Sequence, residues 1–265
     1  LIVALKNENI LFILSYFVIF EAMKAMLLSA GLGTRLRPFT DRHPKALAPI
    51  GDRTLLEINI RKLVRAGIRD IVVNVHHFAG QIIDAVRQHN GFGANVLISD
   101  ETAVVLETGG GVQKAAPLFD NEENILVCNV DILSNIDINA LYACHRQYQA
   151  AATLAVQHRS TSRNLLFDRD GNLKGWQNNV TGEVRPPDLG STGHLVPFAF
   201  SGIQILNRKL YQNIPLQGKF SLIDVYLHCM NSHVIKGFDH TGDVLLDVGK
   251  PEALEKARAI LDEIS

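Results

Sequence analysis

Hydrophobic positions along the chain fall into short runs that alternate between two periods. Ile71-Val72-Val73-Asn74-Val75 is β-branched and nearly continuous, as befits a strand covered on both faces. Before it, residues 54–66 place Leu55, Leu56, Ile58, Leu63 and Val64 at helical spacing, and Gly67 supplies a stop. After it, 81–88 reads as a helix and 94–98 as another strand. Further apolar runs stand at Met26-Leu27-Leu28 and at Ile125-Leu126-Val127-Cys128, the latter ending in Asn129-Val130-Asp131. This β, α, β, α alternation predicts an α/β fold built on a doubly wound, mostly parallel sheet.

The texture changes beyond residue 150. Residues 152–157 predict a strand, and Leu165-Leu166-Phe167 followed by Asp168-Arg169-Asp170-Gly171 and Leu173-Lys174-Gly175-Trp176 predicts a hairpin. Residues 177–197, rich in Asn, Gly, Pro and Thr, read as a long loop. The sheet resumes at 198–205, where Ser201-Gly202 interrupts an apolar strand and marks close approach of a ligand or another backbone. Val244-Leu245-Leu246-Asp247-Val248-Gly249 ends a last strand and leads into a helix over 251–264, with Pro251 suited to its first turn. The expectation is one domain over 23–265 with an inserted hairpin region.

Composition narrows the classes. With 265 residues, 47% hydrophobic, 20% charged and a formal net charge of -1, the chain has no basic excess for nucleic acid. Cys128, Cys144 and Cys229 form neither a disulfide framework nor a zinc pattern, which points to a reducing, cytoplasmic setting. The largely apolar stretch 10–20 is too short to cross a bilayer as a helix, so no membrane association is expected. Residues 1–22 are expected to be an apolar extension outside the native domain or disordered, with Met23 as the biological start.

The candidate chemistry begins where the first apolar run breaks into Ala30-Gly31-Leu32-Gly33-Thr34-Arg35-Leu36-Arg37-Pro38, with Lys45 following in Pro44-Lys45. Glycines at 31 and 33 let backbone N–H groups approach a ligand, Thr34 offers a hydroxyl, and Arg35 a permanently charged fork. A third glycine is missing for the dinucleotide fingerprint, and Gly-Lys-Ser/Thr is missing for the P-loop. Glu107-Thr108-Gly109-Gly110-Gly111 is a second place where N–H groups at a helix start meet an anion or a sugar hydroxyl, or else a flexible turn. Asp131 and Asp247 each follow an apolar run, where open α/β sheets bind ligands, though either can be a simple cap. Two carboxylates about 4 Å apart repel by roughly 4 kcal/mol at an effective dielectric of 20, which a hard divalent cation with oxygen ligands would relieve. His76-His77 reads as structural or rim, and Trp176 as hairpin packing.

Taken in order, these pieces resemble the sugar-1-phosphate nucleotidyltransferase family. The likeness covers Met23 to the C-terminus and rests on Gly31 to Pro38 with Pro44-Lys45, Leu106 to Gly111, Asn129 to Asp131, Phe200 to Ile203 and Asp247-Val248-Gly249. It implies a Rossmann-like three-layer αβα nucleotidyltransferase fold, similar to glycosyltransferase A, with a mixed, mostly parallel sheet. It also implies Mg²⁺-dependent attack of a sugar 1-phosphate on the α-phosphorus of a nucleoside triphosphate, giving a nucleotide-sugar and pyrophosphate. By this resemblance Arg35 and Lys45 are catalytic, and Asp131 and Asp247 hold the metal. Ala30, Gly31, Gly33, Thr34, Glu101 or Thr102, Thr108 and Gly109 bind nucleotide, while Asn129, Glu183, Ser201 and Gly202 face the sugar.

Within the family, Leu-Glu-Thr-Gly-Gly-Gly at 106–111 and the Phe-Ser-Gly-Ile strand look most like the N-acetylmuramate-1-phosphate uridylyltransferases of cell-wall recycling. Guanylyltransferases acting on mannose 1-phosphate are the alternative, although they usually carry Leu-Gly-Thr-Ala-Gly where Glu107 stands. Val130 occupies the usual glycine before the metal acid. A non-catalytic nucleotide or sugar-phosphate sensor on the same fold is the competing reading from another class. A dehydrogenase is the weakest, lacking both the third glycine and an acid at the end of the second strand. Oligomeric state is not encoded in any of these features.

Overall fold

The computed structural model describes residues 23–189 and 194–264. The expectation for residues 1–22 lies outside the described residues, as do four positions of the 177–197 loop. In chain order the strands are β1 (Lys24–Leu28), β2 (Pro49–Ile50), β3 (Arg53–Thr54), β4 (Asp70–Val75), β5 (Asn95–Asp100), β6 (Asn124–Asn129), β7 (Ile132–Ser134), β8 (Ala152–Gln157), β9 (Arg163–Phe167), β10 (Leu173–Asn178), β11 (Val184–Arg185), β12 (Val196–Asn207), β13 (Ile235–Asp239) and β14 (Leu245–Asp247).

β1 pairs in parallel with β4 on one side and β6 on the other, and β5 lies parallel outside β4. β12 runs antiparallel against β6, β8 antiparallel against β12, and β13 parallel beside β8. Chain order steps outward from β1 through β4 to β5, then reverses to β6. That reversal opens a crevice at the carboxyl ends of β1 and β6, where open α/β sheets bind ligands.

Side-chain alternation along these strands divides the interior into two cores. Ala25, Leu27, Ile71, Val73, Val75, Leu126 and Cys128 face one layer of helices, contributed by Leu55–Arg65, Ala79–Gln88 and Ile138–Gln147. Met26, Leu28, Val72, Ile125 and Val127 face the other, where helices Glu107–Ala115 and Leu222–Cys229 pack. A third cluster joins Leu36, Ile50, Leu133, Val248 and Ala257, and so ties the glycine loop after β1 to the C-terminal helix Pro251–Ala259. The fold is therefore a three-layer αβα sandwich.

Local signals account for most boundaries. Thr54 caps the helix Leu55–Arg65, its hydroxyl accepting from the Glu57 N–H at 3.2 Å, and Gly67 beyond the far end takes φ 89°. The hairpin is β9 against β10, its turn held by the Asp168 carboxylate accepting from the N–H groups of Asp170 and Asn172 at 3.0 and 2.8 Å.

Three expectations change. The 177–197 segment is not all loop, because Val184–Arg185 pairs with β10 as β11, a strand of two residues and thus too short for a period to register. The last strand does not join the main sheet; β14 pairs with β7 in a separate ribbon. The helix expected over 251–264 is divided into Pro251–Ala259 and Leu261–Ile264.

Candidate active site

The loop after β1 is held from below. Leu36 is buried in the third cluster, and the Gly33 carbonyl accepts from the Leu36 N–H at 2.8 Å and from the Thr40 hydroxyl at 2.9 Å. Gly33 has φ 61°, and a β-carbon there would stand 2.9 Å from Lys45 Cβ, so both conformation and space require glycine. At Gly31 a β-carbon would meet nothing within 4 Å. Its open side belongs to a cavity of about 460 Å³ lined by Ser29 to Gly31, Gly33 to Arg35, Lys45, Asn74, Thr108 and Asn129 to Asp131.

Charge is concentrated on one side of this cavity. Lys45 is 8% exposed and its Nζ donates to Asp131 Oδ2. The Arg35 guanidinium lies 3.9 Å from Asp247 Oδ2. β7 and β14 place Asp247 opposite Ile132, and the Val248 N–H donates to the Asp131 carbonyl at 2.8 Å, so the two acids sit on adjacent strands. Gly249 makes room for the exposed pair, since a β-carbon there would lie 2.7 Å from Arg35 Nη2 and 2.8 Å from Asp247 Oδ1.

The cavity lining thus includes Ala30, Gly31, Gly33, Thr34, Arg35, Lys45, Thr108, Asn129 and Asp131 from the sequence-derived set. Asp247 instead lines an adjoining hollow of about 300 Å³ that shares Arg35 and Gly249 with the cavity. Glu183 lines a groove of about 730 Å³ that meets the cavity only at Glu107. Two carboxylates on neighbouring strands offer oxygen donors of the type that hold Mg²⁺ together with substrate phosphates. Among the described residues no group of three or more His, Cys, Asp or Glu forms a metal cage. The donor set therefore fits a hard cation whose shell a polyphosphate completes.

Four positions are placed away from the cavity. Ser201 is fully buried, with its hydroxyl 2.8 Å from His240 Nε2, because the bulge in β12 turns it inward. Gly202, φ 73°, backs the wall: a β-carbon there would come within 2.9 Å of Asn129 Nδ2. Gly109 lies inside the helix Glu107–Ala115 rather than ahead of it, and its N–H is spent on the Phe220 carbonyl at 3.0 Å. The glycine run serves close packing, since β-carbons at 109, 110 and 111 would meet Phe220 at 2.5 Å, the Gly218 carbonyl at 2.6 Å and Glu101 Oε1 at 2.8 Å.

Glu101 is also fully buried. Its Oε1 accepts from Asn74 Nδ2 at 2.7 Å, and Asn74 Oδ1 accepts from the Ser29 N–H at 2.6 Å. Glu101 therefore stands behind Asn74, and burial holds its carboxyl above the usual carboxylate range. Asn74 lines the cavity and was missed, though a lone amide within an apolar strand was the available signal. Glu107 and Ser221 were likewise missed as lining residues. Glu107 has φ 61°, uncommon for a side chain with a β-carbon, and pairs with Lys219 at 3.6 Å. Val130 directs its side chain into the first core, and His76 Nδ1 lies 2.7 Å from the Glu101 carbonyl.

A doubly wound sheet with a cationic glycine loop and carboxylates at its switch point defines an enzyme that handles phosphorylated nucleotides. Comparison with known proteins places it further. The nucleotidyl transferase family profile matches residues 24–167. The N-acetylmuramate alpha-1-phosphate uridylyltransferase of Neisseria meningitidis serogroup B is 34% identical, with 90% of this chain and 98% of that protein covered. Its namesake from Caulobacter vibrioides is 31% identical, covering 90% and 97%. The crystal structure of HddC from Yersinia pseudotuberculosis complexed with GMP-PN shares the fold, with a TM-score of 0.73 at 23% identity over 89% of this chain and 98% of that one. The chain belongs to the nucleotidyl transferase family and is an enzyme of the sugar-1-phosphate nucleotidyltransferase type.

Proposed function

We propose that the enzyme transfers a uridylyl group from UTP to N-acetylmuramate 1-phosphate or a related hexose phosphate, with Mg²⁺, in nucleotide-sugar biosynthesis for the cell wall. The observation that carries this reading is the Lys45–Asp131 pair set between the glycine loop and the end of β6. Two relatives of that printed activity, matched over nearly their whole length, support the choice of base and sugar.

The sugar phosphate oxygen attacks the α-phosphorus, and the bond from that phosphorus to the bridging oxygen breaks to release pyrophosphate. Both reactants are polyanions, so positioning and charge neutralisation carry the catalysis and no protein nucleophile is required. Lys45, nearly buried, offers its ammonium to the α-phosphate and the incoming sugar phosphate. Arg35, more exposed, neutralises the outer phosphates. Ser29 to Gly31 present backbone to the nucleotide, and the Glu101–Asn74 pair fixes that backbone in place. Asn129, backed by Gly202, faces the sugar side. Asp131 and Asp247 would hold the Mg²⁺, which when bound supplies charge neutralisation of the triphosphate oxygens.

The test is a pyrophosphate-release screen of UTP, GTP, CTP and dTTP against the 1-phosphates of N-acetylmuramate, N-acetylglucosamine, mannose and glucose, with and without Mg²⁺. Release with UTP and N-acetylmuramate 1-phosphate, lost on chelation, is the expected result. Preference for GTP with mannose 1-phosphate would overturn the substrate assignment, and release without a divalent cation would overturn the metal.

A further inference from the structure

The hollow beside the catalytic cavity carries three cations, Arg35, Lys250 and Lys256, against two carboxylates, Asp247 and Glu252. Arg35 already pairs with Asp247. Lys250 and Lys256 are exposed, and among the described residues neither has an ion-pair partner, although Glu252 stands one helical turn before Lys256. Two unpaired ammonium groups thus face a space of about 300 Å³, room for roughly ten waters at about 30 Å³ each. The hollow opens off the cavity at Arg35 and Gly249, which line both. Lys250 is the N-cap of the helix Pro251–Ala259, so the positive end of that helix forms part of the same wall.

We propose that this hollow is a binding site for the β- and γ-phosphates of the nucleotide and for the pyrophosphate they become, with Lys250 and Lys256 as its ligands. The proposal rests on the nucleotidyl-transfer reading of the adjoining cavity. When the sugar phosphate oxygen bonds to the α-phosphorus, the electron pair of the broken bond stays on the bridging oxygen. The leaving pyrophosphate therefore gains one negative charge beyond Arg35, on the side where the two lysines stand. Coulombic attraction retains the leaving group there until it diffuses out, and the same lysines recruit pyrophosphate in the reverse reaction.

Titration calorimetry of the full chain with inorganic pyrophosphate and Mg²⁺ tests the site directly, with uridine monophosphate as a control ligand. The wild type should bind pyrophosphate, and the Lys250→Ala/Lys256→Ala double variant should bind it about 10- to 100-fold more weakly, as expected for one or two lost charge-assisted hydrogen bonds. Lys250→Arg/Lys256→Arg should stay within about threefold of the wild type. Monophosphate affinity should be unchanged in both variants, and the KM for pyrophosphate in the reverse reaction should rise in step with its Kd. An alanine variant that binds pyrophosphate like the wild type, a wild type that does not bind it, or an equal loss for both ligands would overturn the proposal. The two readings fail separately. Pyrophosphate binding that depends on the lysines, in a protein that transfers no nucleotide in the screen, would end the transferase reading and leave the anion site; transfer indifferent to the lysines would end the anion site alone.

Discussion

Gly249→Ala separates stability from chemistry within the site. The glycine's backbone lies outside the left-handed region, so alanine adopts it without strain. Its β-carbon would meet Arg35 Nη2 at 2.7 Å, about 0.7 Å short of the 3.4 Å at which ordinary contact begins, and Asp247 Oδ1 at 2.8 Å. Both side chains are more than half exposed, at 60% and 51%, so they swing aside into solvent rather than force the backbone to move. The expected stability change is below about 1 kcal/mol, within about 2–4 °C in Tm for a chain of this size. Catalysis has no such freedom. Misplacing a positioning group by about 1 Å costs up to about 100-fold, so kcat should fall by roughly 10- to 100-fold while the melt is nearly unchanged. Steady-state pyrophosphate release beside a thermal melt gives both numbers. An unchanged kcat in a folded variant would refute the claim that the Arg35–Asp247 geometry matters to turnover.

Three further outcomes follow from particular contacts. Gly109→Ala pushes a β-carbon to 2.5 Å from the Phe220 ring and should cost about 1–3 kcal/mol, read as a lowered urea midpoint with little change in KM. Glu101→Gln puts an amide donor where Asn74 Nδ2 and the Leu106 N–H both need an acceptor, so it should cost about 1–3 kcal/mol and raise the KM for nucleotide; a KM that does not move would detach Glu101 from the nucleotide wall. His145 is buried between Asn124 Oδ1 and the Thr153 hydroxyl, each at 2.9 Å, and burial lowers its pKa from 6.5 to about 4. The unfolded chain therefore binds more protons than the native one between these values, and stability is lost as pH falls from about 6.5 towards 4, by about 3 kcal/mol from this group. His145→Gln should flatten that slope in pH-dependent urea melts.

The sheet and the glycine loop were legible because their signals are local. The β-branched run at 71–75 and the helical spacing at 54–66 each decide an element within a dozen residues, and Gly33 carries its own turn. What escaped was long-range. That Gly109 to Gly111 pack against Phe220, Gly218 and Glu101 depends on residues far apart in sequence, so the run looks like an open anion site when read alone. Ser201 looked like a wall residue of an apolar strand, but a bulge between Phe200 and Gln204 shifts the register and sends its hydroxyl to His240. Asp131 and Asp247 looked alike as acids after apolar runs, yet one follows a strand of the main sheet and the other ends a two-stranded ribbon. Asn74 and Glu101 exchange the roles their exposure would suggest, with the amide at the cavity surface and the acid buried behind it.

The central claim is that nucleotidyl transfer takes place in the cavity between the glycine loop and the end of β6, with Lys45 and Asp131 at its charged side. The most direct measurement is the single-turnover rate of nucleotide-sugar formation from UTP and N-acetylmuramate 1-phosphate, for the wild type and for Asp131→Asn with its fold checked by circular dichroism. The account predicts a loss of about 100-fold or more in the folded variant. A variant that turns over at the wild-type rate would contradict it.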